Sequence, residues 1–301
     1  MSSVTLLDGG LGQEINARYN QPAHALWSVK VMMEAPDIVG DVHRDYIEAG
    51  ADAICINAYT ATRPRLELNG FPEWFEDAQR LAREIVVKAR ADANAEDRVQ
   101  ITACLPPLFA SYVTEVSGDY QTSYDLYKEI VDLQAPYVDV MFIETIGIIE
   151  EARAAMDAAK TSGKSVYMGY TINDDQSNTL RSGEALQDAV NAAAEAGVDG
   201  VMINCSIPEA VTKAMPILAQ SGLRFGGYAN GFTSIDKLIP GQNVDLLEAR
   251  QDLGPEAYAG FVRRWLEEGA SIIGGCCEVG PSHIRYLDTM LNEEGYSRIP
   301  L

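Results

Sequence analysis

Positive charge is scarce in this 301-residue chain: 23 lysines and arginines stand against 44 aspartates and glutamates, for a formal net charge of −21 at pH 7. So acidic a surface repels phosphate backbones and anionic lipid, which argues against nucleic-acid and membrane partners. No apolar run is long enough to span a bilayer. The start, Met1 to Asp8, has no basic region followed by an apolar stretch, so secretion is not expected and the chain is placed in the cytoplasm. Histidine is rare: His43 and His283 fall in helical patterns as surface or packing residues, His24 lies in a loop, and none has ligand spacing. Neither a Ser-His-Asp set, a P-loop nor a pair of glycosidase carboxylates can be read. The stretch Asp8-Gly9-Gly10-Leu11-Gly12 has neither the glycine spacing nor the following helix of a dinucleotide fingerprint. The five cysteines are odd in number and lack close disulfide-like spacing, which favours a reducing compartment and leaves thiols free for metal.

What is present is a regular alternation of short apolar runs and amphipathic segments, in a chain that is 47% hydrophobic and 22% charged. Strands are predicted at Val4–Leu7, Ala53–Ala58, Val99–Cys104, Val138–Ile143, Ser165–Tyr170, Gly200–Asn204 and Arg224–Tyr228, with an eighth through Ile272 and Ile273. Helices are predicted at Pro36–Ala49, Pro72–Ala91, about Asp119 to Ala135, Ile148–Ala159, Gly183–Ala196, Pro208–Ala219, Pro255–Glu268 and Pro281–Leu291. A long loop is expected before Met33, and polar loops before Asp119 and from Asn230 to about Leu253. About eight strand and helix pairs indicate a closed α/β barrel, the (β/α)8 or TIM barrel, with an open doubly wound sheet as the alternative. No linker or shift in composition marks a second domain, so residues 1–301 are read as one domain; a homo-oligomer is compatible with this.

In such a barrel the C-terminal strand ends carry the chemistry. Gly274 and Gly275 permit a turn that brings Cys276 and Cys277 towards one point. Vicinal cysteines bridge each other poorly, whereas thiolates share a borderline metal such as zinc easily; the alternative is two small apolar thiols in a core. Cys205 ends the Gly200–Asn204 strand, so Cys205, Cys276 and Cys277 can converge if those strands are parallel barrel members. Three protein ligands leave a fourth position open, the pattern of a catalytic zinc site. The loop at Gly9 and Gly10 either turns backbone amides towards a carboxylate or simply makes a tight turn, and Asp8 either joins it or caps it. Glu144, at the end of a buried strand, needs a partner, either a substrate ammonium or a protein arginine. Trp27, Tyr59, Tyr112, Tyr228 and Phe232 offer faces that attract onium cations or merely pack. Asn57 and Asn204 orient ligands or brace loops. Cys55 and Cys104 are strand residues, with Cys104 near enough to its strand's end to approach the mouth.

The segments Leu7 to Glu14, Leu26 to Ser28, Glu144-Thr145, Asn204-Cys205 and Gly274 to Cys277 together resemble the zinc-dependent homocysteine S-methyltransferase family, over nearly the whole chain. The resemblance implies a (β/α)8 barrel in which Cys205, Cys276 and Cys277 hold one zinc ion and the sulfur of homocysteine takes the open position. It implies that Asp8 and Glu144, the candidate catalytic carboxylates, lie at the amino-acid end of homocysteine, and that the tryptophan matching Trp27 lines the donor side in the betaine-using branch. Gly9, Gly10, Asn57, Tyr59, Asn204 and Tyr228 complete the candidate substrate-binding set. A thiol coordinated to zinc is deprotonated outright, so attack on the methyl of an onium donor needs no general base at carbon. The sequence departs from the betaine-using branch by Thr145, where that branch has tyrosine, and by stopping at Leu301. It departs from many sulfonium-using members by Tyr228-Ala229-Asn230 in place of Tyr-Pro-Asn. A cationic donor such as S-methylmethionine or S-adenosylmethionine is expected ahead of betaine. A non-catalytic zinc- or thiol-binding barrel is the alternative from another class.

Overall fold

The computed structural model describes residues 3–22, 24–112, 118–235 and 247–301. The centre of the expected Asn230–Leu253 loop, 236–246, lies outside the described residues, as do 113–117 of the loop before Asp119 and residues 1, 2 and 23. The eight apolar runs form β1 (Ser3–Leu6), β2 (Ala53–Cys55), β3 (Gln100–Thr102), β4 (Met141–Ile146), β5 (Val166–Tyr170), β6 (Gly200–Asn204), β7 (Arg224–Tyr228) and β8 (Ile272–Ile273).

One sheet runs β4-β5-β6-β7-β8-β1, and a second pairs β2 with β3. Parallel bridges span both gaps, Leu7 with Ala53 and Thr102 with Val140, the latter extended by Leu105 with Ile143. Hydrogen bonds from Asp8 N to Ala53 O (3.0 Å) and from Ala103 N to Val140 O (2.9 Å) tie the same seams. The ring therefore closes and has no free edge, and the fold is a TIM barrel. A short β9 (Ser297–Arg298) lies outside the ring and pairs with β1.

Burial on both faces explains why the strands read as nearly continuous apolar runs. Along β4, Phe142 faces the lumen with Tyr167, Met202, Tyr228 and Ile272, while Met141 and Ile143 join the layer under the helices. The helices supply the other half of that layer. In α3 (Pro36–Glu48), Val39, Val42, Tyr46 and Ile47 recur at helical spacing and are buried. His43 is among them, fully buried, a packing residue with its imidazole pushed down to about 3 by burial.

Several elements depart from the predicted boundaries. The expected loop before Met33 contains α1 (Leu11–Arg18) and α2 (Trp27–Glu34). Both have small amphipathic faces and no side-chain N-cap, so neither announces itself in the sequence. A helix does follow Gly10, contrary to expectation, although the glycine spacing still excludes a dinucleotide loop. The short α4 (Arg63–Leu68), capped by Thr62, precedes α5 (Trp74–Asp92). The remaining helices are α6 (Tyr120–Gln134), α7 (Ile149–Lys160), α8 (Leu186–Ala196), α9 (Pro208–Ala219), α10 (Pro255–Glu267) and α11 (Pro281–Glu293). No helix among the described residues is long and apolar enough to cross a membrane.

Candidate active site

The C-terminal ends of the strands open into a cavity of about 690 Å³, a size that suits a small molecule. Side-chain alternation places its floor: Cys55 follows lumen-facing Ala53 by two residues, and Glu144 follows lumen-facing Phe142 by two. Strand β4 continues past Glu144, beyond the predicted end at Ile143, and its pairing with β5 slips between Ile143 and Ile146. At that slip Thr145 has φ +63°, a left-handed conformation costly for a β-branched residue. Asn204 holds it there, its Oδ1 accepting from Thr145 N (2.9 Å) and its Nδ2 donating to Thr145 Oγ1 (2.8 Å). Asn204, expected as a substrate residue, thus has both ends of its amide engaged as a brace.

Cys205 follows with φ +46°, so the chain turns sharply as it leaves β6. The sulfurs of Cys205, Cys276 and Cys277 all lie within 4.8 Å of one another, although 71 residues separate the first two. Cys205 and Cys276 are joined as a disulfide, with Cα atoms 5.7 Å apart, and Cys277 keeps a free thiol. The expectation of free thiols therefore holds for Cys55, Cys104 and Cys277 but not for this pair, because the convergence of the strand ends brings two sulfurs within bonding reach. Burial pushes the Cys277 thiol up to about 12, so a thiolate here calls for a nearby positive charge. With its pair reduced, the trio is a soft donor set that fits a metal ion such as zinc. Gly9 and Gly10 allow this approach: a Cβ on Gly10 would sit 2.6 Å from Cys276 O, and one on Gly9 would sit 2.0 Å from Val279 O. The Gly10 amide is spent on Val279 O (2.9 Å), so close packing is the visible role of these glycines.

Two carboxylates lie in the same cavity. Asp8 Oδ2 accepts from Cys55 N (2.9 Å), and burial, reinforced by the charge of Glu144, raises its carboxyl from 3.8 to about 8. Glu144 is also raised by burial, and its Oε1 accepts from Cys104 Sγ (3.1 Å) and, at 3.8 Å, from Cys55 Sγ. Cys104 does reach the mouth. No arginine or lysine pairs with either carboxylate among the described residues, so the salt-bridge alternative for Glu144 is not realised. Asp8 is buried and Glu144 half-buried, and neither has a protein cation beside it among the described residues.

On the other wall, Trp27 packs against Cys205, Phe232 and Cys277, and stands edge-on to Tyr59 with centroids 6.4 Å apart. Its Nε1 and the hydroxyl of Tyr228 are buried without hydrogen-bond partners among the described residues. Asn57 Nδ2 donates to Ser28 O (3.1 Å), and Tyr59 bonds to Ser111 Oγ (2.9 Å). Residues that sequence reasoning passed over are Arg65 and Ser111, both in the cavity wall. The only signal was an arginine shortly after Tyr59 in a loop that builds the mouth.

Residues 5–291 match the family described as homocysteine S-methyltransferase. The chain belongs to the homocysteine S-methyltransferase family. Among relatives of this methyltransferase, homocysteine S-methyltransferase 4 of Zea mays is 27% identical, over 98% of this chain and 91% of that protein. The selenocysteine Se-methyltransferase of Brassica oleracea var. italica is 28% identical, over 95% and 88%. The fold matches the homocysteine methyltransferase MmuM of Escherichia coli in its metallated form, with a TM-score of 0.80 at 24% identity, covering 96% of each chain. Homocysteine and a methyl donor are the substrates of this family, so the enzyme is a methyltransferase whose cavity holds a metal-capable cysteine trio.

Proposed function

We propose that the enzyme transfers a methyl group from an onium donor to the thiol of homocysteine at a zinc ion held by Cys205, Cys276 and Cys277. The observation that carries this is the three sulfurs within 4.8 Å of one another in a cavity that also contains two unpaired acids and an aromatic wall. Zinc, when bound, supplies a fixed positive charge that keeps a coordinated thiol ionised at neutral pH. The protein's own groups do the rest. Asp8 and Glu144 bind the acceptor's ammonium, which turns the acceptor so that its sulfur points to the trio. Trp27 and Tyr59 hold the donor's cationic centre against their ring faces, where a desolvated contact contributes up to about 2 kcal/mol. Orientation of thiol and methyl in line lowers the barrier without a general base at carbon.

A sulfonium such as S-methylmethionine or S-adenosylmethionine is the donor we favour over betaine, because a neutral thioether leaves readily and Thr145 replaces the tyrosine of the betaine branch. The test is methionine formation by reduced, zinc-loaded protein from homocysteine with S-methylmethionine, S-adenosylmethionine and betaine in turn. Turnover with betaine and with no sulfonium overturns the donor; no metal bound by the trio overturns the mechanism.

A further inference from the structure

A second group of soft donors lines the cavity apart from the cysteine trio. Strands β2, β3 and β4 are neighbours in the ring, tied by the pairs Cys55 with Thr102 and Thr102 with Val140. Cys104 lies two residues beyond Thr102, and Glu144 two beyond Phe142, so alternation along the chain turns Cys55, Cys104 and Glu144 to one side. Their two sulfurs and a carboxylate oxygen all lie within 4.8 Å of one another. Cys104 Sγ stands 3.1 Å from Glu144 Oε1, and Cys55 Sγ stands 3.8 Å from the same oxygen. Around a tetrahedral zinc ion, with sulfur near 2.3 Å and oxygen near 2.0–2.2 Å, neighbouring donors are about 3.5–3.8 Å apart. The three groups therefore need no more than about 1 Å of adjustment to share one ion.

Hydrogen bonding to Glu144 does not by itself account for two cysteines here. A thiol is a weak donor, and a serine or threonine hydroxyl would satisfy the carboxylate better. What two sulfurs and a carboxylate have in common is affinity for a borderline or soft dication. Charge favours the same ligand: Asp8, whose Oδ2 accepts from Cys55 N (2.9 Å), adds a second acid beside the group, and neither acid has a protein cation beside it among the described residues. We propose that Cys55, Cys104 and Glu144 form a second metal site, separate from the trio, for a thiophilic divalent ion such as Zn2+ or Cd2+. Binding makes two metal–sulfur bonds and one metal–oxygen bond, and the two S–H protons leave to solvent. With one thiolate fewer than the trio it is the weaker site, filled only when metal is in excess. On the reading of Glu144 as the seat of the acceptor's ammonium, ion and acceptor exclude each other, so excess metal closes the enzyme at its acceptor side.

The test counts zinc on the reduced holoenzyme by equilibrium dialysis against excess Zn2+, with Mg2+ present to occupy surface carboxylates. We expect about two ions per chain in wild type and about one in Cys55→Ala and in Cys104→Ala, the trio keeping its own. An equal count in wild type and both variants overturns the proposal; if that count is above one, the extra metal is an adventitious ion only. A second measurement needs no substitution: alkylation of Cys55 in the zinc-loaded holoenzyme, mapped by mass spectrometry, should slow roughly tenfold or more on adding further Zn2+, because a metal-bound sulfur is a poor nucleophile. Labelling that Zn2+ slows no more than Mg2+ does sinks the site. Calorimetric binding of methionine, which carries the ammonium without a free thiol to chelate zinc, separates the site from the reading beside it. Excess Zn2+ should weaken this binding roughly tenfold in wild type and leave it unchanged in Cys104→Ala. If the second ion binds and methionine binding is unaffected, the metal site stands and Glu144 loses its place as the ammonium seat.

Discussion

At the scale of single residues, the site combines three sulfurs, one buried and one half-buried acid and a wall of rings, and each group has its own test. Replacing Cys205, Cys276 or Cys277 by serine should remove most bound zinc from reduced protein, since a neutral hydroxyl is a poor ligand for this ion. Replacing Cys55 should leave metal content near one ion per chain by elemental analysis, because its thiol faces Ala103 O and Glu144. Glu144→Ala should weaken homocysteine binding roughly ten- to hundredfold while zinc stays bound; equal affinity in a folded, metal-loaded variant would show the carboxylate to be structural. Asp8 gives a pH dependence. Its carboxyl is raised from 3.8 to about 8 by burial, so below about 4 both folded and unfolded chains carry the proton and nothing is lost. As pH rises towards 8 the unfolded chain ionises first, and the folded state loses stability. The ligand-free protein should therefore show a thermal midpoint that falls across this window, and Asp8→Asn should flatten the fall. A parallel profile in the variant would sink the assignment.

At the scale of elements, strand ends position the site only where facing strands meet at positions that leave no room for a side chain. Gly226 in β7 lies opposite Ile272 in β8, and a Cβ on it would stand 1.7 Å from Ile272 O. That neighbour is backbone and has nowhere to go, so Gly226→Ala should part β7 from β8 and disturb the Cys276-Cys277 turn that follows. Overpacking of this kind costs about 1–3 kcal/mol or more. We expect a clear drop in the denaturant midpoint together with weaker zinc retention; unchanged midpoint and metal content would show that the seam yields freely. Legibility also varied by element. Helices with a strong stripe, such as α3 and α10, were readable, whereas α1 and α2 were missed because they pack on each other and on α3 without a side-chain cap or a strong apolar stripe of their own.

At the scale of the whole molecule, the C-terminal segment staples the closed ring from the end opposite the site. Arg298 in β9 donates to Asp52 Oδ2 (2.8 Å), Asp288 Oδ1 (2.6 Å) and Gly50 O (2.7 Å), and Asp52 Oδ2 also accepts from Leu6 N (2.8 Å). Asp52 is buried, and burial raises its carboxyl even with Arg298 opposing. Arg298→Met should leave that charge uncompensated and cost about 3–5 kcal/mol at neutral pH. The sign follows from linkage: burial already raises the folded Asp52 carboxyl and loss of Arg298 raises it further, so the cost is full where that carboxyl is ionised and fades as pH falls through the raised range, before the ordinary aspartate value is reached. Urea unfolding at pH 7 and at pH 4 checks this; an equal loss at both would point to lost packing.

The sequence by itself determined the strand and helix rhythm, because burial on both faces writes strands as apolar runs and burial on one writes helices as stripes. It also placed Cys205, Glu144 and the Cys276-Cys277 pair at strand ends, where parallel strands of one barrel must bring them to a common face. Only the tertiary structure decided which polar groups are already spent. Asn204 is committed to Thr145, Gly10 to Val279, and Cys104 turns its thiol to Glu144, while Asp8 and Glu144 have no charged protein partner within salt-bridge distance among the described residues. Spacing fixes which face of a strand a side chain takes. Whether its hydrogen bonds and charge are already satisfied depends on groups tens or hundreds of residues away, which only the closed barrel brings into reach.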